Sequence, residues 1–210
     1  MTSMTREQRE LRPNDRRVLQ ISLENNGLDF VMKHDYLIET MQGWPYPWHM
    51  IDFETSAPAI PPTSGMKPYE TIAFQFSHHI MHEDGQIEHA SQFIDIEAGG
   101  QPNLAFVRAL KEALMPNGSL QGTVFRYHNH ENTVLNHIKS QLTAGYYPDL
   151  CQAENDELIA FIHSITHDND EERAGEHDMV DLYDVVLKGY ISKHAGGSNS
   201  LKYILPAILQ

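Results

Sequence analysis

The stretch that decides the fold reads WHMIDFETSAPAIPPTSGMKPYETIAFQFSHHIMH (48–82). Its first eight residues are apolar and then acidic at the far end, and this pattern predicts a buried strand. Side chains at positions i and i+2 of a strand point to one face. We therefore expect Asp52 and Glu54 to present two carboxylates together, while Ile51 and Phe53 pack against the other face.

Further strands and helices are predicted on the carboxyl side of this segment. Residues 56–68 contain four prolines and one glycine, which predicts a long loop. An alternating strand follows, and Asp84-Gly85 predicts a hairpin leading to a third strand. Helices and strands then alternate, in the order helix 104–114, strand 122–128, helix 132–142, helix 157–165, strand 179–186.

This order predicts an α/β fold with a mixed five-stranded sheet flanked by helices. Three strands form an antiparallel meander, and the later strands, which alternate with helices, favour parallel pairing. The arrangement is typical of the ribonuclease H-like fold. We assign residues 1–43 to an N-terminal arm with short helices and residues 44–210 to the main domain.

Composition limits the class of protein. The chain has 210 residues, one cysteine and a net charge of −14, and no apolar run approaches the length needed to cross a bilayer. A lone cysteine suits a reducing compartment, so we expect a cytoplasmic protein. The negative charge argues against a broad basic surface for nucleic acid. Any contact with a polyanion is expected to be local and metal-assisted.

The acidic strand predicts a metal site. Two carboxylates at one strand end repel each other unless a cation lies between them, and a hard divalent ion with oxygen ligands meets that need. Mg²⁺ or Mn²⁺ is the expected ion, and two-metal nucleases use such an arrangement to cleave phosphodiesters. The alternative is that Asp52 and Glu54 are two solvated acids at an exposed strand end.

Two further acids are candidates for the same site. Glu131 follows the strand at 122–128 and opens a helix, at the edge where ligands of open α/β sheets collect. Its alternative role is to complement the helix dipole. Asp181 lies in MVDLYDVV (179–186), with the alternative that it only stabilises the strand end through hydrogen bonds.

The histidines raise the question of whether the chain has a zinc site. The chain has thirteen, and several lie in two clusters around residues 78–82 and 128–130. His78 and His79 are adjacent on a strand and face opposite ways, and no HExxH motif or cysteine pair accompanies them. Scattered surface or core histidines are therefore preferred to a zinc site. The sequence also lacks GxGxxG, P-loop and GxSxG motifs.

The segments HMIDFETSAPAIPPTSGMKPYETIAFQFSHHI, GQIEHASQFID, GTVFRYHNHENTVL and MVDLYDVVLKGYISKHAGGSNSLKYILPAI resemble, in this order, a family of largely uncharacterised bacterial proteins. The C-terminal part of that family is a ribonuclease H-like domain, expected to be a DEDD-type 3′–5′ exonuclease. Many members carry a Cas4-like, PD-(D/E)xK nuclease region ahead of it.

The resemblance implies roles for individual residues. Asp52 and Glu54 match the first exonuclease motif as metal ligands, and Glu131 matches the second. Asp181 matches a strand acid that is usually structural in proofreading-type exonucleases and is kept here as a candidate catalytic residue. Ser200 and Lys202 match a segment that could contact phosphate.

The chain departs from the family pattern at both ends. By this resemblance, we expect the helix with the third motif and the preceding nuclease region to be missing from this sequence, so that the metal site lacks one carboxylate unless Asp181 or Asp184 replaces it. Two hypotheses follow. One is a metal-dependent exonuclease acting on single-stranded DNA or RNA ends. The other is a catalytically incomplete module that binds a protein partner or a second copy, with the aromatic segment 44–48 as a docking surface.

Overall fold

A computed structural model describes residues 11, 13–63, 65–97, 101–168 and 174–209, and part of the predicted N-terminal arm, residues 1–10, lies outside that description. The strands are β1 (Phe30–Met32), β2 (Trp48–Ser56), β3 (Ile72–Met81), β4 (Ile87–Ile94), β5 (Thr123–Arg126), β6 (Val180–Asp181) and β7 (Tyr190–Ser192). The α-helices are α1 (Pro13–Asn26), α2 (His34–Gln42), α3 (Asn103–Leu114), α4 (His130–Thr143), α5 (Gln152–Ile165), α6 (Leu182–Gly189) and α7 (Leu201–Ile208).

The chain divides into two compact units. One unit is Pro45–Val180, and the other combines Met1–Trp44 with Asp181–Gln210. The sequence predicts a boundary after residue 43, and the contacts separate the units after Trp44 and again after Val180.

The larger sheet confirms the predicted fold class. Its strand order is β4–β3–β2–β5–β6. Strands β2, β3 and β4 form an antiparallel meander, and β5 pairs with β2 in parallel. The chain is therefore an α/β protein with a mixed five-stranded sheet flanked by helices, an arrangement consistent with the ribonuclease H-like fold.

The core of the Pro45–Val180 unit lies between one sheet face and the helices. Phe106 of α3 is fully buried and packs edge-to-face against Phe53, with ring centroids 4.8 Å apart, and against Phe76, at 5.5 Å. The helix presents Val107, Leu110 and further apolar residues at helical spacing on the same side. Each such side chain contributes about 1.5–3 kcal/mol when fully buried, so this packing holds β2 firmly.

A close backbone approach aligns β5 with β2. Gly122 has φ +79°, and a Cβ there would collide with the carbonyl of Pro47. The next residue, Thr123, donates its backbone N–H to the Pro47 carbonyl at 3.0 Å and its hydroxyl to the Pro45 carbonyl at 2.9 Å. Glycine is needed because only it fits both the left-handed backbone and the short separation. These contacts start β5 beside β2.

Two histidines form a buried hydrogen-bonded chain on the core side of the sheet. His49 Nε2 lies 2.9 Å from the Gln121 carbonyl, so it carries the proton and donates. His49 Nδ1 then accepts from His78 Nε2 at 2.9 Å, and His78 Nδ1 lies 2.9 Å from the Ser91 hydroxyl, which donates. Every polar atom is satisfied when both rings are neutral.

This pair makes stability depend on pH. Burial lowers the pKa of His78 to about 4, with a smaller contribution from His49, and burial also lowers the pKa of His49. Because the unfolded chain binds protons first as the pH falls below about 6.5, stability is lost between that pH and about 4. We expect His78 alone to cost about 2 kcal/mol between pH 7 and pH 5.

Urea unfolding at pH 7 and pH 5 measures this loss. The His78→Gln variant removes the titrating ring, so its stability should change less between the two pH values than that of the natural chain. An equal change in both proteins would show that the acid sensitivity arises elsewhere.

The second unit is held together by segments distant in sequence. Strand β1 pairs antiparallel with β7, so that Phe30 lies opposite Ser192. Arg16 of α1 donates to the carbonyls of Leu187 at 2.6 Å and Tyr190 at 2.7 Å.

The sequence predicts mainly strand for residues 179–186, but only β6 is extended and helix α6 begins at Leu182. None of the described helices has the length and apolar character needed to cross a membrane.

Candidate functional site

The acidic strand has the side-chain alternation expected from its sequence. Asp52 and Glu54 are exposed on one face of β2, whereas Ile51 and Phe53 are 6% and 4% exposed on the other. The buried pair therefore anchors the strand in the core. The two carboxylates are two residues apart on the same exposed face of the strand, where they can contact a common ligand.

An irregularity in the sheet lies directly beside the acids. Glu54 is opposite Gln75, but Thr55 is opposite Ala73, so Phe74 is an extra residue on β3. Its carbonyl accepts a hydrogen bond from the Asp95 backbone at 2.8 Å. Bulges bend a strand and re-aim its side chains, and they are frequent next to active sites. This one lies at the acidic end of β2, where we expect it to change the direction of the strand.

Glu131 lies at the same sheet edge as this end of β2. Strand β5 runs parallel to β2, with Met50 opposite Phe125, so both strands end on one side. Helix α4 begins four residues after β5, and its first residue, His130, has Nε2 3.4 Å from the Thr55 hydroxyl. Glu131 follows and is 4% exposed. The first turn of α4 thus meets the segment just beyond Glu54.

The turn between β5 and α4 is built around a buried arginine. Arg126 is 6% exposed and donates from Nη1 to the His128 carbonyl at 2.6 Å. His128 has φ +72°, which is uncommon for a residue with a side chain. Such strained residues concentrate at functional sites. The sequence analysis missed both features, since no local pattern signals a left-handed histidine.

A hydrogen-bonded group of three residues, which the sequence analysis missed, stabilises the start of α4. Asn132 accepts from the His167 backbone N–H at 3.0 Å and donates to its carbonyl at 3.1 Å. The His167 ring lies 3.0 Å from the Asp178 carboxylate. These residues are separated by up to 46 positions in sequence, so no motif connects them. They hold the chain after α5 against the first turn of α4.

Asp181 belongs to the other compact unit. Its carboxylate accepts the backbone N–H of Tyr183 at 2.9 Å and caps the amino end of α6. Asp181 is also the last residue of β6, and its role as a candidate catalytic residue stays a prediction. Ser200 immediately precedes α7 and Lys202 lies in its first turn, and both are exposed.

The donor chemistry of the site suits a hard cation only in part. Asp52 and Glu54 supply two carboxylates on one face, and oxygen donors are what Mg²⁺ and Mn²⁺ prefer. Within the described ranges, however, no three His, Cys, Asp or Glu side chains are grouped closely enough to hold a metal ion. The acids define a surface at one sheet edge rather than a closed coordination sphere.

The candidate site lies within a segment that matches a known protein family. Residues 49–200 match the domain of unknown function DUF2779, so the match includes β2 from its second residue, the first turn of α4 and residue 181. The chain belongs to this family. No curated protein and no solved structure matches it significantly. The DUF2779 match spans both compact units, and all four candidate acids lie within it.

Proposed function

We propose that this DUF2779 protein is a metal-dependent nuclease that removes nucleotides from the 3′ ends of single-stranded DNA or RNA. The observation that carries the proposal is the pair of exposed carboxylates at the bulged end of β2, beside the first turn of α4. The likeness of the motifs to DEDD-type exonucleases adds the expected polarity. The exposed, single Cys151 suits a reducing, cytoplasmic setting.

The residues of the chain have distinct parts in this proposal. Asp52 and Glu54 would bind Mg²⁺ or Mn²⁺ directly, and Glu131 would add a third carboxylate at the same end of the sheet. These three residues are called the acidic edge. The ion, when bound, supplies Lewis-acid chemistry that neutralises phosphate charge and activates water. Asn129, the residue before helix α4, makes no side-chain cap to its amino end, and the amino end of a helix favours a phosphate. Asp181 caps the amino end of α6 and would stabilise that helix.

A second candidate is a catalytically incomplete module with a binding or assembly role. It is favoured by the lack of a three-ligand group among the described residues and by the net charge of −14, which repels polyanions. Such a module would act through a protein partner or a second copy of the chain.

Metal binding separates the two candidates. A ligand present at 100 times its dissociation constant stabilises the folded state by about 2.7 kcal/mol. For a chain of this size the melting temperature should then rise by roughly 5–10 °C in saturating Mn²⁺. The measurement is a melting curve in Mn²⁺, compared with one in buffer from which a chelator has removed divalent metal ions. No rise in Mn²⁺ would favour the incomplete module.

Labelled oligonucleotides test the reaction itself. DNA and RNA strands with a free 3′ end should shorten progressively in Mn²⁺, whereas strands with a blocked 3′ end should persist. Cleavage of a circular single strand would mean that the enzyme cuts internally and that the polarity is wrong. Intact substrates of every kind, together with an unchanged melting curve, would overturn the proposal.

A further inference from the structure

A row of three residues crosses the exposed face of the antiparallel meander. Met50 of β2 lies opposite His79 of β3, and His79 lies opposite His89 of β4. Residues directly opposite each other share one face of a sheet. His89 is exposed, and the other two are partly exposed. The row borders the one that contains Asp52, Ser77 and Gln92.

The two histidines already approach each other as metal ligands do. His79 Nε2 lies 3.2 Å from His89 Nδ1, with ring centroids 4.7 Å apart and planes inclined at 62°. Two nitrogens bound to one ion at about 2.0–2.1 Å are roughly 2.8–3.4 Å apart, from square-planar to tetrahedral angles. A metal ion can therefore take the place of this hydrogen bond when each ring tilts to point its lone pair at the ion. The proton on His79 Nε2 then moves to His79 Nδ1, so that the ring stays neutral.

A neighbouring amide prepares one of the rings for this role. His89 Nε2 lies 3.2 Å from the Gln92 side-chain oxygen, which can only accept. The proton of the neutral ring is therefore held on Nε2, and the lone pair on Nδ1 points to His79. Hydrogen bonds of this kind fix the tautomer and orientation of metal-binding histidines.

The donor set selects the kind of ion. The two imidazoles are borderline donors, and the soft thioether of Met50 belongs to the residue paired with His79 in register; such donors suit copper above zinc and exclude Mg²⁺. We propose that His79 and His89, with Met50 beside them, form a binding site for a late transition-metal ion, with copper bound most tightly. This site is separate from the oxygen-donor edge at Asp52 and Glu54 and does not depend on nuclease activity.

Titration of the purified chain with Cu²⁺ alone tests the proposal. Loss of an outer hydrogen-bond partner costs 10–100-fold in metal affinity. His79→Ala and His89→Ala remove a ligand outright, so each should weaken the tightest Cu²⁺ site by at least about a hundredfold. The matched control is His163→Ala, an exposed histidine of α5, which should leave that site unchanged.

Two further readouts keep the test independent of folding and of the acidic edge. Electron paramagnetic resonance of the Cu²⁺ complex should show hyperfine coupling to two nitrogens in the natural chain and to one in each histidine variant. Met50→Leu should weaken Cu⁺ binding more than Zn²⁺ binding. Equal Cu²⁺ affinity in the natural chain and His79→Ala, with circular dichroism of both unchanged, would overturn the proposal. Loss of the site in Asp52→Asn alone would also overturn it, because copper would then bind at the acids.

Discussion

Replacement of Asp52 by asparagine is expected to reduce metal-dependent cleavage by more than about a hundredfold. Asparagine keeps the shape of the side chain but removes the charge that would bind the ion. Loss of an outer-shell partner already costs 10–100-fold in activity, so loss of a direct ligand should cost more. Single-turnover cleavage of a 3′-labelled single strand at saturating Mn²⁺ measures the effect.

The same substitution should have little effect on folding. Asp52 is exposed on β2, and removal of one of two neighbouring carboxylates relieves repulsion with Glu54. The metal-free melting temperature should therefore stay the same or rise slightly, while the increase produced by Mn²⁺ disappears. Glu112→Gln, which removes an exposed acid from α3, is the matched control and should retain both cleavage and the Mn²⁺ response. Undiminished cleavage in Asp52→Asn would eliminate the assignment of this residue as a ligand.

Replacement of Asn103 by alanine is expected to destabilise the protein by about 3 kcal/mol. Asn103 is 4% exposed, and its oxygen accepts the backbone N–H of the fully buried Ala73 at 2.8 Å. Its amide donates to the Thr71 carbonyl and to the Gln141 side chain, each at 3.0 Å. Alanine would leave these buried partners unsatisfied, at about 1–3 kcal/mol for each such group.

Thermal unfolding and urea titration measure this loss. For a chain of about 200 residues, 3 kcal/mol corresponds to a melting temperature lower by roughly 6–12 °C. The control is Gln101→Ala, two positions away, whose side chain makes a weak hydrogen bond of 3.3 Å to Tyr146. We expect the control to change stability by less than about 0.5 kcal/mol. Similar values for both variants would show that the network around Asn103 contributes little.

The Asn103 network also bears on the acidic edge. Ala73 is the residue opposite Thr55, just beyond the bulge at Glu54. Asn103 therefore bonds the residue of β3 that pairs with the acidic end of β2. A variant that folds but loses this contact should cleave more slowly than its stability alone predicts.

Local patterns were sufficient to predict the antiparallel strands β3 and β4 of the central sheet and helix α3. The alternation in 71–82 predicts β3, Asp84-Gly85 predicts the hairpin, and the apolar spacing of 104–114 predicts α3. All three are confirmed. Period-2 and period-3.6 patterns reflect which side of an element is buried, and that property is written in neighbouring residues.

Local patterns could not identify the contacts that build the edge of the sheet. The burial of Glu131, the strained turn at His128 and the brace between Asn132 and His167 join residues from different elements. The pairing of β1 with β7 joins residues about 160 positions apart, in strands too short to show any period. The metal-binding roles of Asp52, Glu54 and Glu131 stay predictions.

What the sequence alone determined is the direction of each side chain relative to its own strand or helix. Asp52 and Glu54 had to share a face, and His78 and His79 had to face opposite ways, because the backbone of a strand alternates. Only the tertiary structure decided which side chains from different strands meet, as His78 meets His49 in the core and His79 meets His89 on the surface. That choice depends on strand register, which is set by the sum of many packing contacts and hydrogen bonds across the sheet rather than by any one segment.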